Sequence, residues 1–93
     1  MNQLLTIGTI VRIKKMAAGM NMMIVGYYPI ERETETLFEY SGILYPQGFI
    51  GERSIFLFYA EDIEEIIFDG YSDEEGKEFR EGLPLLLQII AEQ

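Results

Sequence analysis

Apolar and polar residues alternate through the first half of the chain, then give way to an acidic run and an apolar tail. In residues 9–15, Thr9, Val11, Ile13 and Lys15 fall on one side of an extended chain; Ile10, Arg12 and Lys14 fall on the other. The first set is apolar at its centre, the period-2 mark of a half-buried strand. Gly8 before it and Ala17-Ala18-Gly19 after it read as turn or loop. Residues 20–28 (MNMMIVGYY) predict a second strand, ended by Pro29, which has no N–H to give a ladder. Residues 31–36 (ERETET) read as a loop or exposed extension. Residues 37–45 predict a third strand, with Gly42 as a bulge or sharp bend. Pro46-Gln47-Gly48 is a turn. Residues 54–59 (SIFLFY) predict a fourth strand, 60–65 (AEDIEE) one helical turn with Ile63 pointing inward, and 66–71 (IIFDGY) a short fifth strand.

Ser72 followed by Glu75 fits a capping box and opens a helix over 72–81. Asp73, Glu74 and Glu75 suit the positive end of its dipole. Gly82 and Pro84 are expected to end it. The tail then restarts as a last helix with Pro84 in its first turn. Leu83, Leu85, Leu86, Leu87, Ile89 and Ile90 leave that helix little polar face, so it needs cover on more than one side. About five short, locally joined strands followed by helix predict an α+β fold. The sheet is small, antiparallel and strongly bent, or curled into a half-open barrel, with a C-terminal helical segment. The 93 residues make one domain, with 5–71 as β core and 72–93 as helical segment. A domain this small is marginal alone, and no disulfide can staple it, so the helix or a partner must add cover.

Charge sharpens the picture. Lys and Arg number 7 against 16 Asp and Glu, giving −9, which argues against nucleic acid as partner. The charge is uneven. Residues 1–30 hold Arg12, Lys14 and Lys15 with no acid, whereas residues 59–93 hold eleven acids against Lys77 and Arg80. Such asymmetry fits either a solvated acidic face or the recognition of a basic partner surface. No apolar run approaches the roughly 20 residues that span a bilayer, and the opening MNQLLTIG has no basic region or long apolar run of a signal peptide. The expected location is the cytoplasm.

The chemistry on offer is thin. His and Cys are absent, which removes the commonest general base, the thiolate nucleophile and the usual zinc ligands. The acids at 61, 62, 64, 65, 69 and 73–75 are the obvious metal candidates. DGYSDEEG nevertheless lacks the alternating oxygen ligands around a turn glycine that calcium requires. The glycines form no phosphate-binding pattern. The expectation is a non-enzyme without cofactor or metal that binds another protein. Met16 and Met20 flank the first hairpin loop and are candidates for adaptable contact, whereas Met23 reads as core. Phe49, in the turn after Pro46, is the best candidate for an exposed aromatic anchor. Glu61, Asp62, Glu65, Asp73 and Glu74 are candidates for meeting basic surface, and Leu86 and Ile90 for apolar contact in the tail.

Three stretches carry a resemblance. The first is Leu5-Thr6-Ile7-Gly8-Thr9-Ile10-Val11, with Lys14, Lys15 and Met22-Met23-Ile24-Val25-Gly26. The second is Tyr40-Ser41-Gly42-Ile43-Leu44-Tyr45-Pro46-Gln47-Gly48. The third is Phe58, then Glu61-Asp62-Ile63-Glu64-Glu65-Ile66-Ile67-Phe68-Asp69-Gly70-Tyr71. Together they resemble a family of small acidic proteins of Gram-positive bacteria, a domain of unknown function whose genes lie beside type VII secretion toxins of the LXG class. Thr6 stands where that family commonly has proline, and Gln47 where it commonly has an acid. The resemblance implies a cytosolic chaperone or targeting factor that binds a toxin, or the toxin with its small helical partners, before export. The alternatives are an immunity protein bound to the toxic domain and a homodimeric protein-binding module joined through residues 83–90. Neither nucleic acid nor membrane is expected as a partner.

Overall fold

The computed structural model describes residues 3–14, 16 and 20–91, with side chains to Ile89. Lys15 and the expected loop at Ala17-Ala18-Gly19 lie outside the described residues. Seven strands and one helix follow in order: β1 (Ile10–Ile13), β2 (Asn21–Tyr27), β3 (Ile30–Glu31), β4 (Thr36–Leu37), β5 (Tyr40–Tyr45), β6 (Ile55–Phe58), β7 (Ile63–Phe68) and α1 (Glu74–Ala91). Five strands form one antiparallel sheet in the order β6-β5-β2-β1-β7. Strands β3 and β4 make a separate two-stranded ribbon. The sheet is open, with β6 and β7 at its edges. The α+β fold expected from the pattern is the one observed.

Alternation fixes the core, but on β2 it places Met22 and Ile24 inside, so Met23, expected in the core, is half-buried on the opposite face. Val11 and Ile13 on β1, Met22 and Ile24 on β2, Tyr40 on β5 and Phe58 on β6 form one buried cluster. Leu4, Leu5, Met16, Tyr27, Leu44, Ala60 and Ile63 pack around it. Thr9 is also buried, on the side of β1 that the sequence assigned to the interior. Its hydroxyl is paired with Thr6 Oγ1 at 2.6 Å and accepts the Gly70 N–H at 3.0 Å. The cost of burying it is thereby met.

Residues 31–36 are the exposed turn of the β3–β4 ribbon, with only their end residues paired. Glu31 and Thr36 pair across the ribbon, and the Glu31 carboxylate accepts the Thr34 N–H at 2.9 Å and the Glu33 N–H at 3.0 Å. Those bonds, with the Thr34 hydroxyl, hold the Glu31 carboxyl below the usual glutamate range. Several expectations are corrected. Gly42 is no bulge. It pairs in register with Ile24, and the register shift falls between Ile24 and Gly26 instead. What requires glycine at 42 is close approach: a Cβ there would lie 2.7 Å from Met22 Cγ and 3.0 Å from Phe58 Cε1. Residues 60–65 do not form one helical turn. A short 3-10 turn covers Ala60–Asp62, and β7 begins at Ile63.

The helix departs most from expectation. It runs unbroken through Gly82 and Pro84. An interior proline loses one backbone bond and crowds the carbonyl four residues back. The strong helix formers on either side, Lys77, Glu78, Arg80 and Glu81 before it and Leu85, Leu86 and Leu87 after it, carry the helix across it. Ser72 and Glu75 make no capping box. Asp73 caps instead, its Oδ1 accepting the Gly76 N–H at 2.8 Å, while its own C=O accepts the Lys77 N–H at 2.9 Å. Ser72 Oγ accepts from Arg80 Nη2 at 2.9 Å.

The linker between β7 and α1 is seated tightly. A Cβ on Gly70 would overlap the Ile7 carbonyl oxygen and stand 2.8 Å from both Thr6 Oγ1 and the Thr9 nitrogen. Two of those atoms are backbone, which cannot swing aside. Gly70→Ala is therefore expected to cost about 1–3 kcal/mol, the range for overpacking, and to weaken the hold of α1 on the sheet. Chemical denaturation, with amide exchange at Thr9 and Gly70, checks both parts.

Candidate interaction surface

The surface is built from two elements that the fold leaves uncovered. The first is β7. As an edge strand it has β1 on one side only, and five of its six residues are exposed. Ile66, Ile67 and Phe68 are 45%, 42% and 64% exposed, so apolar side chains stand open on both faces of one strand. Tyr71 follows, also exposed. The second is the C-terminal half of α1, where Leu85, Leu86 and Ile89 remain about half open. Cover for the apolar helix, expected from the sequence, is incomplete among the described residues. Scattered exposed apolar residues are ordinary, whereas runs of this kind mark interaction surface.

Acidic groups surround both elements. Glu61, Glu64, Glu65, Asp69, Asp73, Glu74, Glu75, Glu78 and Glu81 are all exposed. Three of the candidate acids are already engaged within the chain. Glu65 forms an ion pair with Arg12 across β1 and β7. Both groups are well solvated, so the pair adds at most about 1 kcal/mol. Asp62 Oδ2 accepts the Tyr59 N–H at 2.9 Å, and its C=O accepts the Lys14 N–H at 2.9 Å. Asp73 is the helix cap. Glu61 and Glu74 are exposed and free of intramolecular side-chain bonds among those described.

The other candidates divide. Phe49 is exposed in its turn. The turn closes with the Gly48 N–H donating to Leu44 C=O at 2.8 Å. Met16 is half-buried and packs on the core, so little of it is open for contact; Met20 is half-buried as well. Leu86 is exposed on α1. Ile90 lies in α1, but its side chain falls outside the described part.

Sequence reasoning missed a cleft of about 390 Å³ between α1 and the sheet. Leu4, Tyr28, Glu39, Tyr40, Arg80 and Pro84 are among its lining residues. Tyr28 sits at φ 51, a conformation unusual for an aromatic residue. Behind the cleft an aromatic series runs from Phe58 through Tyr40 and Tyr27 to Phe79, with ring centroids 5.6, 6.1 and 6.4 Å apart. Tyr40 and Tyr27 also clamp the N-terminal segment. Tyr40 Oη accepts the Leu5 N–H at 3.0 Å, and Tyr27 Oη donates to Leu5 C=O at 2.5 Å. Burial pushes both phenols above the ordinary value of 10.0. The folded chain thus holds these protons more tightly than the unfolded one. The stability this brings is whole below pH 10.0 and falls as pH rises from there toward the folded-state values. Burial also raises Tyr28, so phenolate absorbance and circular dichroism, followed together on an alkaline titration, should show late ionisation of these three tyrosines coupled to loss of structure.

Among the described residues no group of three Asp, Glu, His or Cys side chains converges as a metal site. No helix there is long and apolar enough to cross a membrane.

These features define a small acidic α+β protein built on an open antiparallel sheet, with apolar side chains uncovered on an edge strand and a terminal helix. Residues 4–79 match the family model described as Domain of unknown function (DUF4176), and the chain belongs to that family. Comparison with curated proteins and with solved structures found no match in either.

Proposed function

We propose that this protein is a non-catalytic cytosolic accessory factor that binds a type VII secretion toxin before export. The observation that supports the reading most is the uncovered apolar surface of β7 and the C-terminal half of α1, ringed by exposed acids. A marginal domain of this size has little reason to leave so much apolar area in water unless another polypeptide takes it up. The acids select a client whose apolar contact surface is bordered by Lys and Arg, and they speed its approach. The resemblance noted in the sequence points to an LXG toxin as that client.

A truncation series of a type VII LXG toxin from the same host tests the reading. Co-purification of the chain with the toxin's export domain is the expected result. Capture of the toxic domain alone would replace the targeting role with an immunity role, and capture of neither would overturn the proposal.

A further inference from the structure

The two sheet edges differ in one respect. Strand β7 carries Glu64 and Glu65 within it, and charge on an edge is a common guard against pairing with another sheet. Strand β6 has no such guard. Its residues Ile55-Phe56-Leu57-Phe58 contain no charge, no proline and no glycine. Ile55 and Phe56 are 39% and 38% exposed. On its outer side no described strand pairs with β6. An unguarded apolar edge is normally covered.

We propose that β6 pairs with β6 of a second copy, antiparallel about a two-fold axis, so that two sheets join into one of ten strands. This goes beyond the toxin-binding role and does not depend on what the client is. Three observations favour a second copy as the occupant. First, the strand is self-complementary. A two-fold centred on Leu57 keeps each side chain on its own face of the joined sheet, because residues directly opposite in an antiparallel pair share a face. It sets Phe56 against Phe58 of the copy, with no like charges opposed.

Second, the charges flanking β6 complement one another. Arg53 lies just before the strand and Glu61 just after it, both exposed. Antiparallel pairing in that register brings the short turn Glu52–Ser54 of each copy, which holds Arg53, alongside the turn Ala60–Asp62 of the other, which holds Glu61, at both ends. Third, β6 is the edge farthest from the acidic one. Four strand spacings of about 4.8 Å put β7 roughly 19 Å away across the sheet, so the acidic edges of the two copies point outward. The joining also extends an apolar row on the face opposite the main core. Phe68, Ile10, Met23, Ile43 and Ile55 stand in register across all five strands, and Leu57 shares the face of Ile55.

Sedimentation equilibrium of the full chain tests the proposal. The expected mass is twice 10.8 kDa, with dissociation on dilution. Arg53→Glu should weaken the dimer about tenfold, since two attractive pairs become repulsive. Adding Glu61→Arg to it should restore the wild-type constant, a recovery that damage to the fold could not give. Ile55→Lys should yield a monomer with unchanged circular dichroism. A wild-type monomer throughout the concentration range would overturn the proposal. So would a dimer that ignores these changes, or one that dissociates only when Leu86 is replaced.

Discussion

Tyr40→Ala is expected to lower stability by about 3–5 kcal/mol, the range for truncating a buried aromatic. Tyr40 is 2% exposed and stands at the meeting point of three structures. Its ring joins Phe58 to Tyr27 in the aromatic series, its hydroxyl accepts the Leu5 N–H, and it lines the cleft under α1. Removing the ring opens a cavity between β5, β6 and the N-terminal segment and leaves the Leu5 N–H without its acceptor. A loss of that size is a large part of the 5–15 kcal/mol that holds a typical domain together. Thermal melts should show a drop of at least about 12 °C, taking roughly 4 °C per kcal/mol for a chain of this length. Tyr40→Phe separates the two contributions. It keeps the ring and removes only the hydroxyl, and should cost about 1–3 kcal/mol. A Tyr40→Ala melt within a few degrees of wild type would mean that the N-terminal segment is held by other contacts.

The second large effect concerns binding rather than folding. Leu85 and Leu86 are 62% and 49% exposed on α1, so lysine at both positions should change the stability of the free chain by no more than about 0.5 kcal/mol each. If the client covers these side chains, the same double substitution removes roughly 3 kcal/mol of apolar burial from the complex. That corresponds to about a hundredfold weaker binding. Titration of wild-type and doubly substituted chains against the same toxin, with melts of both chains alone, reads the two quantities separately. Equal affinities would move the contact away from α1.

Much of the sheet was legible because alternation reports burial directly. Val11 and Ile13 occupy the interior that their spacing assigned, whereas on β2 it is Met22 and Ile24, not the expected Met23, that face inward. The start of β7 was not legible, because Glu64 and Glu65 interrupt the alternation. An edge strand exposed on both faces has no buried side to reveal it. Gly82 and Pro84 read as breakers by local rules, yet the helix-forming residues around them outweigh both. The capping position is Asp73 rather than Ser72 because the helix starts at Glu74, which puts the Asp73 carboxylate in reach of the Gly76 N–H. For the surface, the apolar tail and Phe49 could be read from the sequence. The Tyr27–Tyr40–Leu5 clamp and the cleft beside it could not. They join residues 22 and 35 positions apart, and no local pattern encodes contacts of that range.

Isothermal titration of the purified chain with a purified LXG toxin, the client proposed above, bears most directly on the central claim. A saturable complex at micromolar concentration or tighter, with a negative heat-capacity change from apolar burial, is the result expected. Two folded components that release no heat on mixing at that concentration would contradict it.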